Sequence, residues 1–123
     1  LANFWQDVAR DYRLGRIYLP REDYVRFGMT RADWARRTET PEFLALMRFE
    51  VGRAREWLER GLPLAKRMPG RLRFDIELFA RGGLRILDRI EAIDYHVWRT
   101  RPVVTKWDAA GLCMRVLGRW ALG

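Results

Sequence analysis

Apolar residues recur every three or four positions along almost the whole chain, and no stretch alternates with the period of two that a strand requires. The pattern predicts an all-α protein. A first helix is expected from about residue 1 to Gly15, followed by a short extended turn, RIYLP, before Pro20. A brief helix through Glu22 to Phe27 should close at Gly28, and Thr30 with Asp33 forms a capping-box signature for RADWARR. Thr40 caps the next helix and Pro41 opens it. Leu44, Met47, Val51, Ala54 and Leu58 form its inward line, and Gly61 is expected to end it. LPLAKRMPGR reads as an interhelix loop. A long helix should follow from about Arg71 to Trp98, with Phe74, Leu78, Leu84, Leu87, Ile90 and Val97 inward. Gly82 and Gly83 in its middle each cost roughly 1 kcal/mol relative to Ala, which suggests a close helix approach or room for a substrate chain. Thr105 and Asp108 cap a last helix carrying Leu112, Val116 and Trp120. Phe43, Phe49, Trp57 and Phe79 read as core, although an apolar ligand would need the same lining.

One polar pattern interrupts this regularity. Asn3, Asp7 and Asp11 stand four residues apart on the first helix. Four residues advance a helix by about 6 Å and turn it through about 400°, so the three side chains form one slowly drifting stripe. Carboxylates at i and i+4 repel by a few tenths of a kcal/mol. Oxygen donors without Cys or His suit a hard cation, and Mg²⁺ prefers few protein ligands plus phosphate oxygens. The spacing alone is equally that of a solvated face with Arg10 and Arg13 as partners. Phe4, Trp5 and Val8 favour a largely buried helix, in which carboxylates need a partner or an ion. Arg16 and Arg21 follow its end within plausible reach of an anion.

Composition narrows the classes. The chain of 123 residues has 24 Lys+Arg against 16 Asp+Glu, a formal charge of +8. The arginines are scattered through every segment and no nucleic-acid motif is present, so no nucleic-acid partner is expected. Peripheral contact with an anionic membrane is compatible with Arg-rich helices bearing Trp34, Trp57, Trp107 and Trp120. No apolar run is long enough to span a bilayer. The single Cys113, in an apolar helical run, reads as a buried inert thiol and suits a reducing compartment. His96 is the only histidine, which leaves a zinc site without support. Asp88, Glu91 and Asp94 read as a solvated face.

NFWQDVARDYRLGRIYLPRED resembles the second aspartate-rich motif of the squalene/phytoene synthase family, N-x-x-x-D-x-x-x-D followed by G-R-x-Y-L-P. The likeness continues through PREDYVRFGMT and LPGRLRFDIELFARGGLRILDRIEAIDYHVWRTRP, and the N-F-W-Q-D form is most similar to the hopanoid-pathway, HpnC-type squalene (hydroxysqualene) synthases. The resemblance implies that residues 1–123 are the C-terminal helices of one isoprenoid-synthase-type bundle, whose N-terminal half would carry a first acidic motif. It places Asn3, Asp7 and Asp11 on Mg²⁺-binding positions, with Asp7 and Asp11 catalytic. Asn3, Gln6, Arg16, Tyr18 and Arg21 become the substrate-binding set. Phytoene synthases usually carry Arg where Gln6 stands and Glu where Arg10 stands, a departure that counts against an ordinary phytoene synthase. Gly83 falls near a pocket Tyr of several relatives.

The implied activity is Mg²⁺-dependent head-to-head joining of prenyl diphosphates through a cyclopropylcarbinyl diphosphate, with squalene or hydroxysqualene formation expected. The alternatives are a phytoene synthase and a catalytically inactive membrane-docking or assembly homologue. The expected partner is a prenyl diphosphate, and the expected location is the cytoplasm, at most peripheral to the inner membrane face. These residues alone, with one acidic motif of two, are expected to do no chemistry.

Overall fold

The computed structural model describes residues 1–121, with side chains as far as Arg119; the side chain of Trp120 lies outside the described residues. Seven helices follow one another: α1 (Ala2–Gln6), α2 (Val8–Arg13), α3 (Arg21–Arg26), α4 (Arg31–Arg36), α5 (Pro41–Lys66), α6 (Gly70–Ala92) and α7 (Lys106–Ala121). Among the described residues there is no strand. The long α5 and α6 pack against each other, α1 lies across both, and α7 docks on α6.

Local signals behave as their chemistry requires. Thr30 and Asp33 form a reciprocal capping box on α4, and Thr40 Oγ1 accepts the Phe43 N–H at 3.2 Å with Pro41 at the first helical turn of α5. Thr105 and Asp108 exchange the same pair of bonds at α7, at 3.0 and 3.1 Å. Gly15, at φ +73°, closes α2: the Arg16 N–H reaches back to the Asp11 carbonyl at 2.9 Å and the Gly15 N–H to Tyr12 at 3.0 Å.

Three element boundaries differ from those expected. The first helix is broken at Asp7 (φ −102°, ψ 14°) into α1 and α2. α5 does not end at Gly61 but runs through it and through Pro63 to Lys66. Pro63 is exposed, so the carbonyl deprived of its helical N–H can turn to water, while packing on α6 carries the helix onward. α6 stops at Ala92 rather than Trp98, because Asp94 and Tyr95 take positive φ values of 50° and 65° and turn the chain out of the helix.

The core is centred on α4, the first half of α5 and the second half of α6. Trp5, Trp34, Phe43, Leu46, Met47, Val51, Leu87, Ile90 and Val97 are buried within it. Trp34 meets Phe43 edge-on at 6.1 Å and Trp98 at 6.1 Å, with Tyr12 and Tyr24 on its other sides. Trp34 is therefore core, not a membrane-facing residue. Leu44 and Leu58 on the inward line are only half-buried, whereas Phe43 and Leu46 beside it are fully buried. Phe79 (81% exposed) and Trp57 (65% exposed), expected in the core, lie outside it.

A buried polar knot joins α3 to α5. Arg53 Nη2 donates to Asp23 and to both oxygens of Glu50, each at 2.7 Å. Burial, then the hydrogen bond its protonated form donates to the Asp23 carboxylate, pushes the Glu50 carboxyl up to about 7 against the pull of Arg53. Burial also works to raise Asp23, but the hydrogen bonds from Arg53 and Glu50 and the charges of Arg53 and Arg26 together outweigh it and hold Asp23 below its ordinary value.

Candidate active site

The break at Asp7 leaves the stripe intact. The Asp7 N–H donates to the Asn3 carbonyl at 3.0 Å and the Asp11 N–H to the Asp7 carbonyl at 2.8 Å, so the backbone still steps four residues at a time along the three positions. Asn3 is exposed; Asp7 and Asp11 are half-buried. At one end, Asn3 borders an open apolar cleft of about 760 Å³ between α1, α5 and α6, lined among others by Ala54, Trp57, Leu58, Phe79, Gly83 and Val104. At the other, Asp11 shares a narrow cleft with Arg16 and Tyr18, whose ring stacks on Phe4 at 4.2 Å. The stripe thus joins a hydrocarbon-lined space to a patch bearing an arginine.

The expected site residues are not all brought together. Gln6 is buried, and its amide Nε2 donates to the Pro102 carbonyl, so here it fastens backbone. Arg21 is exposed at the start of α3, and among the described residues no hydrogen bond or ion pair links it to the stripe. Arg16 is held by its backbone to Asp11.

One residue beside the stripe had no local sequence signal. Arg101 Nε donates to Asp7 Oδ1 at 2.5 Å and its Nη2 to Oδ2 at 3.4 Å. The only cue was a basic segment without periodicity, RTRP, following the aromatic run YHVW. Residues 96–102 cross the stripe as a strap anchored at both ends. Glu39, whose side chain is nearly fully buried, accepts the backbone N–H of Trp98 and Arg99 at 3.1 and 3.3 Å. It also holds the Arg99 guanidinium at 2.9 Å and lies 2.6 Å from His96 Nδ1. His96 is thus tied to Glu39 and half-buried rather than free on the surface.

The donor set is chemically suited to a hard cation. As metal ligands, two carboxylates and an amide would supply only oxygen, and the stripe has no Cys or His. Among the described residues no three His, Cys, Asp or Glu side chains converge to hold a metal by themselves. Such a set suits an ion that takes its remaining oxygens from a phosphate or from water.

A family model for squalene/phytoene synthase matches residues 1–108. The chain belongs to the squalene/phytoene synthase family. A 15-cis-phytoene synthase of Synechococcus elongatus is 32% identical over 107 residues, covering 87% of this chain and 35% of that protein. A 15-cis-phytoene synthase of Synechocystis is 36% identical over 85% of the chain and 31% of its own length. Phytoene synthase 3 of maize is 33% identical over 86% of the chain and 25% of its length. The chain thus spans about a third or less of these squalene/phytoene synthase relatives. All three are named phytoene synthases, the group expected above as the alternative to a hopanoid-branch squalene synthase. Among the described residues no helix is long and apolar enough to cross a membrane.

Proposed function

We propose that these residues form the C-terminal part of a Mg²⁺-dependent synthase that joins prenyl diphosphates head to head, of the phytoene type. The observation that carries the reading is the placement of Asn3 at the border of the apolar cleft, with Asp7 and Asp11 continuing the same stripe toward Arg16. A substrate with a diphosphate head and a hydrocarbon tail matches those two surfaces together.

Asn3, Asp7 and Asp11 would hold the cation, which supplies Lewis-acid stabilisation to a departing diphosphate. Arg101 neutralises Asp7 when no cation is present and keeps a guanidinium beside the position the diphosphate would take. Arg16 adds positive potential at the Asp11 end. Tyr18, stacked on Phe4, fixes the segment that carries Arg16. Leu58, Trp57 and Phe79 line the space for the hydrocarbon chain, an apolar wall that would help keep water from a carbocation once that chain fills the cleft. Gln6 contributes by holding Pro102, and so Arg101, in place.

The test is product analysis with the full-length protein, Mg²⁺ and either farnesyl or geranylgeranyl diphosphate. Asp11→Asn is a cleaner probe than Asp7→Asn, because Asp7 also anchors Arg101. It should lower kcat at least about 100-fold with an unchanged circular dichroism spectrum. Retention of most of the activity would show the stripe to be scaffold. A C30 product would return the assignment to the squalene group, and no turnover of either substrate would favour an inactive homologue.

A further inference from the structure

On the face of α6 turned away from the apolar cleft lies a second pocket, of about 450 Å³, walled by α5, α6 and α7. Residues 82, 83 and 86 of α6 line the cleft, and residues 81, 84, 85 and 88 line the pocket. A step of two residues is about 200° of helix rotation, so the two spaces are on opposite sides. Arg55, Arg81, Arg85, Arg115 and Arg119 line the pocket against only two carboxylates, Asp88 and Asp108.

The carboxylates brace these guanidinium groups without matching them in number. Asp108, almost buried, accepts from Arg85 at 2.6 Å and Arg89 at 2.7 Å. Arg85 beside it, then its bonds from Thr105, hold its carboxyl far below the usual carboxylate range, so the brace stays charged at any working pH. Asp88 accepts from Arg55 at 2.8 Å, and Glu77, behind the pocket, accepts from Arg81 at 2.8 Å and approaches Arg119 at 3.8 Å. Among the described residues Arg115 has no carboxylate partner. Guanidinium groups held in this way are preorganised forks that match phosphate oxygens. Trp107, 87% exposed, stands at the rim.

The family match ends at residue 108, just inside α7, so the wall bearing Arg115 and Arg119 lies beyond the matched residues. We propose that this pocket is a second anion site, separate from the acidic stripe, for a phosphate-bearing group: a free phosphate or diphosphate, or the headgroup of an anionic lipid. The site is independent of the stripe's chemistry, since it needs no metal.

Titration calorimetry of the full-length protein with inorganic pyrophosphate in EDTA takes the metal-dependent stripe out of the measurement. One saturable event is expected. It should weaken at least ten-fold in R115Q/R119Q, which removes only the long, exposed Arg119–Glu77 pair at 3.8 Å and should leave the circular dichroism spectrum unchanged. D11N should bind pyrophosphate in EDTA as the parent does. Co-sedimentation with phosphatidic acid vesicles, against phosphatidylcholine vesicles, separates the two sources. Sedimentation with the former alone, lost in R115Q/R119Q, together with no pyrophosphate binding, would identify the lipid headgroup. Absence of both kinds of binding, or equal binding by R115Q/R119Q, would overturn the proposal.

Discussion

The two halves of α5 have the same helical backbone and opposite environments. In the first, Phe43, Leu46, Met47, Glu50, Val51 and Ala54 are all buried where α5 packs on α6, α1 and α3, with Trp34 edge-on to Phe43. In the second, only Ala65 is buried, while Trp57 and Leu64 stand in the open on the cleft side. Both halves are apolar at helical spacing, so periodicity alone treats them alike. The difference lies in what covers them. The first half is sealed by a Trp and Phe cluster contributed by the same chain. The second presents an apolar wall beside the acidic stripe, and under the proposed function the surface it awaits is a hydrocarbon chain.

The sharpest way to break this contrast is truncation on each side. Phe43→Ala should cost about 3–5 kcal/mol of stability in denaturant unfolding, since it leaves a cavity in sealed packing. Trp57→Ala should change stability by no more than about 0.5 kcal/mol, as its ring is mostly in solvent. Comparable losses at both positions would mean that the second half is core after all.

A smaller effect separates the halves by pH. Glu50 has a carboxyl raised to about 7, well above its unfolded value. The folded state therefore holds the extra proton. The stability Glu50 contributes is fully present below about pH 4.5 and is lost as pH rises through about 7. Asp23 is shifted the other way, so its contribution is lost only as pH falls below its ordinary range. Between pH 5 and 8 the Glu50 effect should dominate. Glu50→Gln should flatten the decline in melting temperature over that window, a difference on the order of 2 kcal/mol at pH 8. Parallel profiles for parent and variant would show that the knot does not titrate there.

The smallest effects belong to the glycines of the cleft. A Cβ at Gly82 meets no atom within 4 Å, so Gly82→Ala should stabilise by up to about 1 kcal/mol. At Gly83 it would approach Leu58 Cδ1 at 2.9 Å, and this flexible end must turn aside. Gly83→Ala should therefore gain less than Gly82→Ala in thermal unfolding. A reversed order would mean that the cleft is narrower than described. The two explanations offered by the pair, helix approach and open space, thus apply to one glycine each.

What was legible in the sequence was local. The caps at Thr30, Thr40 and Thr105 and the stop at Gly15 were readable because donor, acceptor and backbone conformation lie within a few residues of one another. The acidic stripe was readable for the same reason. The continuation of α5 past Gly61 and Pro63 was not, because packing on α6 overrides the propensity of those residues. Asp88 and Glu91, read as a solvated face, both pair with Arg55 across the α5–α6 seam, at 2.8 and 3.0 Å. Arg101 was illegible, since its meaning depends on an aspartate more than ninety positions away.

That separation governs when the stripe takes shape. The Gln6–Pro102 and Asp7–Arg101 links close loops of 96 and 94 residues, whereas α5 and α6 are joined by a turn of three residues. Contacts of high sequence separation carry the larger loop-closure entropy and form after local ones. The α5–α6 hairpin should therefore be built first, and α1 with its carboxylates fastened last. The same order, run backwards, makes α1 and the strap the first segments to open in the native state. Amide hydrogens of residues 5–11 should then exchange faster than those of residues 46–54, and the competence of the stripe becomes a matter of how often its last-formed clasp is shut.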